Sequence, residues 1–149
     1  MLNLLERVER KFTAELSKTR VMVIGDYMLD RYIIGDVRRI SPEAPIPVVA
    51  VSEELFRLGG AGNVVSNLAT LGATADCFPF LGFDEGAEQL LRLFDRKNIS
   101  VLPLRHPEVK TTIKARLVAR KQQIARIDWD PPAKYQFPKT LEAQLLPAL

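Results

Sequence analysis

Residues 59–81, GGAGNVVSNLATLGATADCFPFL, contain the pattern that decides the fold. After the opening glycine pair, apolar residues recur at helical spacing over about 61–71, and Gly72 marks the end of that helix. Residues 75–81 are mostly apolar, which is typical of a strand buried on both faces of a parallel sheet. A helix followed at once by a buried strand predicts α/β architecture.

The pattern continues on both sides of this stretch. The run Val21-Met22-Val23-Ile24 predicts another buried strand, and an amphipathic helix over 3–17 precedes it. Asp84 is a suitable N-cap for a helix that ends near Arg96, and a third strand is expected over 99–104. The chain therefore alternates strand and helix, which predicts a parallel sheet with right-handed crossovers.

Two other segments differ from this main body. Residues 31–52 carry scattered charges and three closely spaced prolines, so they predict exposed edge strands and turns outside the main sheet. Residues 111–120 alternate between apolar and polar side chains and, with 122–128, predict a hairpin that has one polar face. A last short helix is expected over 140–146.

Composition places the chain among ordinary soluble proteins. Of its 149 residues, 47% are hydrophobic and 26% charged, which excludes a disordered or low-complexity chain. No apolar run reaches the roughly 18 residues of a membrane span, and the N-terminus is not a signal peptide, so we expect a cytoplasmic protein without membrane contact. Cys77 is the only cysteine, which excludes a disulfide framework. The net charge of +3 indicates a mixed surface or a small anionic ligand, and does not indicate nucleic acid.

Acidic residues follow the first predicted strand, in the segment Gly25-Asp26-Tyr27-Met28-Leu29-Asp30. Ligands of open α/β sheets bind beyond the carboxyl ends of the strands, where carboxylates accept hydrogen bonds from sugar hydroxyls. Asp30 is therefore a candidate binding residue. The alternative is a turn with solvated acids.

The glycine-rich turn before the first helix of the opening stretch is a second candidate site. Gly59 and Gly60 allow close approach of a ligand to the backbone, and Asn63 and Asn67 share one face at the start of the helix. Neither a dinucleotide fingerprint nor a P-loop is present, which argues against a nucleotide-binding Rossmann domain. The alternative is a tight turn followed by asparagines with no ligand.

The polar face of the predicted hairpin is a third candidate. Lys114, Arg116 and Arg120 project together there and could hold a phosphate group. The alternative is an exposed sheet face that binds no ligand. His106, with no second histidine in the chain, is a poor metal ligand, so no metal site is predicted.

These motifs together resemble the ribokinase-like (PfkB) carbohydrate kinases. Gly59-Gly60-Ala61-Gly62-Asn63, followed by Gly72 and Gly82, has the spacing of that family's N-terminal signature, with Val65 as a departure where a smaller residue is usual. The run Arg39-Ile40-Ser41-Pro42-Glu43-Ala44-Pro45 is the most specific part, and it resembles the subgroup of heptose 7-phosphate kinases. The resemblance extends from about residue 19 to 130.

The resemblance implies a function and a set of site residues. Such a kinase transfers the γ-phosphoryl group of ATP, with Mg²⁺, to a sugar phosphate. Asp30 would bind sugar hydroxyls, and the turn that contains Gly59, Gly60 and Asn63 would close over the sugar, with Asn67 beside it. Residues 31–52 and 111–128 would form a small β lid that pairs with the lid of a second subunit, giving a homodimer. Our own assignment of Lys114, Arg116 and Arg120 to the sugar phosphate rests on charge and strand face.

The family's second signature, Gly-Ala-Gly-Asp, does not occur in the sequence. That signature supplies the catalytic aspartate, so no catalytic residue is predicted here, and residues 1–149 are expected to be the N-terminal portion of a ribokinase-like domain without its ATP-binding half. We expect the chain to be inactive alone and to need a C-terminal half in cis or in trans. The alternatives are a non-catalytic sugar-phosphate-binding or lid-dimerising module and a kinase of another sugar, such as ribose or fructose.

Overall fold

The computed structural model describes residues 3–97 and 99–131. Within these ranges the chain forms helices and strands in this order: α1 (Leu4–Leu16), β1 (Arg20–Val23), β2 (Tyr27–Ile40), β3 (Pro47–Gly60), α2 (Ala61–Thr70), β4 (Thr74–Cys77), β5 (Phe80–Leu81), α3 (Glu85–Arg96), β6 (Leu104–Arg105), β7 (Ile113–Ala119) and β8 (Gln122–Trp129). The predicted helix over 140–146 lies outside the described residues.

The strands form three sheets. Strands β1 and β4 pair in parallel, as do β5 and β6. A separate four-stranded sheet has the order β3-β2-β7-β8. In that sheet β2 pairs in parallel with β7, and the outer strands β3 and β8 each run antiparallel to their neighbour.

The core lies where α2 and α3 pack against the strands. Its buried residues include Val23 of β1, Val65 of α2 and Phe94 of α3, together with Tyr27, Leu29, Leu58, Cys77, Leu81, Ala87 and Leu90. The Tyr27 hydroxyl donates a hydrogen bond of 2.8 Å to the carbonyl oxygen of Val23. The Tyr27 ring is thus buried while its hydroxyl keeps a hydrogen-bond partner, and this anchors the start of β2 in the core.

The helices follow the sequence pattern closely. Asn3 and Glu6 form a capping box at the start of α1, and the Asp84 side chain accepts a hydrogen bond from the Ala87 amide at the start of α3. The predicted ends of α2 and α3 agree with the structure to within one residue. In the described part of the chain no helix is long and apolar enough to cross a bilayer.

Prolines shorten two of the predicted strands. The strand expected over 75–81 is divided into β4 and β5 at Pro79, and most of the strand expected over 99–104 is irregular, since β6 begins only at Leu104. Amide hydrogen bonds still run from Leu102 to Cys77 and from Leu104 to Pro79. Pro79 and Pro103 have no amide hydrogen to contribute, so the ladder between these segments is incomplete.

The segment 31–52 lies outside the main sheet, as predicted, with an irregular connection over 41–46 and with β3 at the edge of the four-stranded sheet, but β2 is not an edge strand. The prolines lie in the connection between β2 and β3 or at Pro47, the first residue of β3. At these positions a missing amide hydrogen removes no hydrogen bond from the sheet. Strand β2 is therefore free to pair on both sides and becomes an inner strand of the four-stranded sheet. The predicted hairpin over 111–128 is confirmed as β7 and β8.

Candidate functional site

Two turns of the backbone meet where β1 ends and α2 begins. The Ala61 amide donates a hydrogen bond of 2.9 Å to the carbonyl oxygen of Asp26. Gly60, the residue before it, has a φ of +57°, and a Cβ atom at this position would lie 2.3 Å from that same carbonyl oxygen. Only glycine fits this position, for both conformational and steric reasons.

Asp30 lies on β2 beside this junction. One carboxylate oxygen accepts a hydrogen bond from the Arg116 guanidinium on β7. The other oxygen packs against the backbone of Gly59, because it lies 2.6 Å from the point that a Cβ on Gly59 would occupy. The side chains of Asp30 and Arg116 are 18% and 26% exposed, so the pair is partly sheltered but open on one side.

Strand register places cations on both sides of Asp30. Its direct neighbours are Arg57 on β3 and Lys114 on β7. Paired residues of adjacent strands point to the same face of a sheet. The opposite face carries the buried residues Leu29 and Ala115, so the face that bears Asp30 is the one left open.

The Tyr32 ring lies next along β2 on this open face, between two guanidinium groups. The Cζ atom of Arg57 is 5.4 Å from the ring centroid, and that of Arg116 is 5.2 Å from it. Both distances fall within the range of favourable cation–π contacts. The hydrogen bond to Asp30 raises the pKa of Arg116 above its ordinary value, although partial burial acts in the opposite direction.

Lys114 is engaged by carboxylates at the end of β8. Its ammonium group is 3.1 Å from a carboxylate oxygen of Asp128 and also contacts Asp130. Arg126 pairs with Asp128 at 3.1 Å. Partial burial would raise the pKa of the Asp128 carboxyl, but the hydrogen bonds from Lys114 and Arg126 outweigh it and hold that pKa below its usual range.

Most of the predicted site residues lie in this one region. Asp30, Gly59, Lys114 and Arg116 are neighbours on the sheet, and Gly60 starts the adjoining helix. Asn63 and Asn67 both lie exposed on α2, Asn63 in its first turn.

Arg120 is the exception among the predicted residues. It lies at the turn between β7 and β8 with a φ of +49°, four residues beyond Arg116. Along a strand that is roughly 13 Å. The structure does not bring Arg120 to Asp30.

The sequence also identifies the family to which this site belongs. The sequence profile of the pfkB family carbohydrate kinases matches residues 18–148, which is most of the chain. The chain belongs to the pfkB family. The glycine-rich turn and the strand that carries Asp30 both lie within the matched residues of this pfkB chain.

Curated relatives are similar to the same part of the chain. This chain is 43% identical over 115 residues to the D-beta-D-heptose 7-phosphate kinase of Bordetella bronchiseptica. The aligned region covers 77% of this chain and 37% of the relative. The chain is 48% identical over 116 residues to the bifunctional protein HldE of Methylococcus capsulatus, covering 78% of this chain and 24% of the relative. The pfkB chain thus spans well under half the length of these relatives.

Solved structures share the fold at lower identity. Phosphofructokinase-2 from Escherichia coli, in complex with fructose-6-phosphate, superimposes with a TM-score of 0.60 at 21% identity, over 87% of this chain and 41% of that one. A carbohydrate kinase from Agrobacterium tumefaciens gives a TM-score of 0.60 at 19% identity, over 74% of this chain and 35% of that one. The predicted ribokinase-like α/β fold is confirmed.

The described part of this pfkB chain contains no group of three or more histidine, cysteine, aspartate or glutamate side chains arranged to hold a metal ion. The acidic residues of the open face, Asp30 and Asp128, are instead engaged by arginine and lysine. These residues do not fit a Mg²⁺ site, because their carboxylates are already neutralised by cationic side chains.

Sequence reasoning missed Arg57 and Tyr32. Arg57 precedes Gly59 by two residues, and residues two apart on a strand share a face. That spacing would have placed Arg57 beside the glycine turn, had β3 been predicted to continue to Gly60. The same spacing places Tyr32 next to Asp30 on β2.

Proposed function

We propose that this chain is the sugar-binding portion of a kinase that transfers the γ-phosphoryl group of ATP to a heptose 7-phosphate. The observation that carries the proposal is the Asp30 carboxylate, which lies over Gly59 and is fixed by Arg116 on an open sheet face. The similarity to a protein named D-beta-D-heptose 7-phosphate kinase supports the choice of sugar.

The site offers the contacts that a sugar phosphate needs. A carboxylate accepts hydrogen bonds from several hydroxyls, and Asp30 has one oxygen committed to Arg116 and further acceptor capacity toward the open face. The tight turn at Gly59 and Gly60 lets a ligand approach the backbone, and Asn63 is exposed beside it with amide donor and acceptor groups. In this proposal Asn67 extends the same helix face, and Lys114 and Arg116 provide positive charge, with Arg120 in the turn after β7.

We further propose that phosphoryl transfer needs residues beyond those of this chain. A kinase requires a base for the attacking hydroxyl and donors for the charge on the transferred group. The Gly-Ala-Gly-Asp signature that supplies both in the family is not in the sequence. A C-terminal half, acting in cis or in trans, would then provide the base and bind ATP with Mg²⁺.

The four-stranded sheet is proposed as a lid that pairs with the lid of a second copy. The outer strand β8 is exposed along its whole length. It presents the apolar side chains of Ile124, Ile127 and Trp129 to solvent. Sedimentation equilibrium of the wild type and of Trp129→Ser tests this, because a dimer through β8 should be weakened by the substitution.

The kinase proposal is tested by binding and by turnover. Isothermal titration calorimetry should detect heptose 7-phosphate binding to the chain, and Asp30→Asn should weaken it by about 10- to 100-fold, because a charged hydrogen-bond acceptor is lost. Fructose 6-phosphate and ribose as competitors test the alternative sugars. Failure of the wild type to bind any of these sugars would refute the proposal.

The turnover experiment separates a divided kinase from a non-catalytic module. The chain with ATP, Mg²⁺ and heptose 7-phosphate is expected to release no ADP above background. Addition of the C-terminal portion of a heptose 7-phosphate kinase should restore ADP release if the chain is a kinase portion. No restoration, with sugar binding intact, would favour the non-catalytic module.

A further inference from the structure

We infer that Arg57 binds the phosphate group of the sugar phosphate, an inference that rests on the proposed function. On the open face of the four-stranded sheet, the lysine and arginines of β7 and β8 are paired with carboxylates, whereas in the described part of the chain Arg57 is not.

The cations of β7 and β8 are already paired. Arg116 is bound to Asp30, and Lys114 contacts both Asp128 and Asp130. Arg126 also pairs with Asp128. A phosphate that approached any of these groups would have to compete with a carboxylate that is held in place by the sheet.

Arg57 is different. It is the direct register neighbour of Asp30, yet Asp30 turns to Arg116 instead, and within residues 3–97 and 99–131 no carboxylate lies within ion-pair distance of the Arg57 guanidinium. The side chain is exposed, and its guanidinium lies against the Tyr32 ring, 5.4 Å from the centroid. A guanidinium supported in this way keeps its N–H groups free for two phosphate oxygens at once.

The position of Arg57 suits the far end of a phosphorylated sugar. The glycine turn lies on one side of Asp30, and Tyr32, which supports Arg57, lies on the other side, two residues farther along β2. Two residues of a strand span about 7 Å. A sugar whose ring hydroxyls reach Asp30 can therefore direct its terminal phosphate to Arg57, while its reacting hydroxyl points toward α2.

The test compares two ligands and five proteins. The dissociation constants of heptose 7-phosphate and of unphosphorylated heptose are measured by calorimetry on the full chain, for the wild type, Arg57→Gln, Arg57→Lys, Lys114→Gln and Arg38→Gln. Arg38 is an exposed residue of the distal part of β2, so Arg38→Gln controls for the loss of one positive charge. Circular dichroism and a thermal melt establish that each variant is folded.

We expect Arg57→Gln to weaken heptose 7-phosphate binding by about 10- to 100-fold and to leave heptose binding unchanged. Arg57→Lys should recover part of the loss, because it keeps the charge without the guanidinium fork. Arg38→Gln should bind both ligands as the wild type does.

Other results would overturn the inference. If Arg57→Gln keeps the wild-type preference for the phosphorylated sugar and Lys114→Gln abolishes it, the phosphate binds at Lys114 and the proposed function still stands. If the wild type binds both ligands equally, no phosphate subsite exists on this face. If the wild type binds neither, the proposed function fails and the inference fails with it.

Discussion

Asp30 on β2 and Arg116 on β7 form an ion pair that runs diagonally across two parallel strands, although the residues directly opposite Asp30 are both cations. The diagonal choice fixes one carboxylate oxygen at the Arg116 guanidinium and turns the other toward Gly59. It also leaves Arg57 unpaired within the described residues. One side-chain orientation thus determines which groups of the face remain available to a ligand.

The first prediction concerns the stability of this pair. Arg116→Gln leaves the partly buried Asp30 carboxylate without its partner, so the free energy of unfolding should fall by about 1–3 kcal/mol in urea denaturation. A double-mutant cycle with Asp30→Asn should show a favourable coupling energy of at least about 0.5 kcal/mol. Strictly additive effects would mean that the two residues do not interact in solution.

The second prediction compares two glycines with positive φ. Gly60→Ala places a Cβ 2.3 Å from the Asp26 carbonyl oxygen, whereas a Cβ on Gly72, which has a φ of +90°, would meet only the Thr13 methyl carbon at 4.0 Å, an ordinary van der Waals contact. Gly72→Ala should cost about 1–2 kcal/mol from backbone conformation alone, and Gly60→Ala should cost clearly more because the steric clash is added. Urea denaturation of both variants measures the difference. Equal losses would contradict the close approach at Gly60.

The third prediction separates the site from the stability of the fold. A Cβ on Gly59 would lie 2.6 Å from the Asp30 carboxylate and 2.8 Å from the Met28 side chain, both of which are side-chain obstacles. Gly59→Ala should therefore displace the carboxylate and weaken heptose 7-phosphate binding by roughly tenfold or more, since one charged hydrogen bond is lost. Calorimetry measures the binding, and the thermal melt should change less than in Gly60→Ala. Unchanged binding would show that Asp30 tolerates displacement.

The fourth prediction concerns acid stability at Asp84. Burial would raise the pKa of its carboxyl, but hydrogen bonds from the Thr111 and Ala87 amides outweigh it and lower the pKa. A lowered pKa means that the carboxylate stabilises the fold above its unfolded pKa of about 3.9, and that this stabilisation is lost as the pH falls through the lower folded value.

Asp84→Asn keeps an N-cap acceptor but removes the titration. The difference in unfolding free energy between neutral and acidic pH should therefore be smaller in this variant than in the wild type. Asp95→Asn, an exposed change on the same helix, serves as the control for net charge. An acid profile of Asp84→Asn that matches the wild type would refute the role of this carboxylate.

The fifth prediction concerns the single thiol. Cys77 is 2% exposed, and burial together with the neighbouring Asp76 raises the pKa of its thiol to about 11. Because the thiolate is the reactive form, the folded chain should react slowly with Ellman's reagent at pH 8 and completely after denaturation. No other cysteine contributes to the signal. Fast stoichiometric reaction of the native chain would contradict the burial.

Much of the fold could be predicted from local pattern. The helix boundaries follow from Asn3, Asp84 and the glycines, because capping is a local property of the chain. The extent of β2 and β3 could not be predicted, since neither alternation nor proline spacing shows that a strand will pair on both sides.

The candidate site, like the fold, could be predicted only in part. The glycine turn and Asp30 could be recognised from the sequence, because their spacing along the chain is fixed. The pairing of Arg116 with Asp30 and of Lys114 with Asp128 depends on which strands are neighbours, and that is known only after folding. The phosphate-binding role of Lys114, Arg116 and Arg120 therefore stays a prediction, since the sequence alone did not show that carboxylates of neighbouring strands engage two of them.

Strand β2 runs without interruption from the buried Tyr27 to Ile40 at the far end of the four-stranded sheet. Along β2 no loop separates the anchored start from the exposed far end, so this strand contains no loop hinge of the kind that permits large rotations. Movement of the far end of β2 relative to Tyr27 then requires bending or twisting of the strand itself, whose pairing with β3 is irregular at Ile34/Gly35 and at Val37/Arg39. A ligand bound at Asp30 would therefore act near the start of β2, where a small bend of the strand changes the position of Ile40 at its far end.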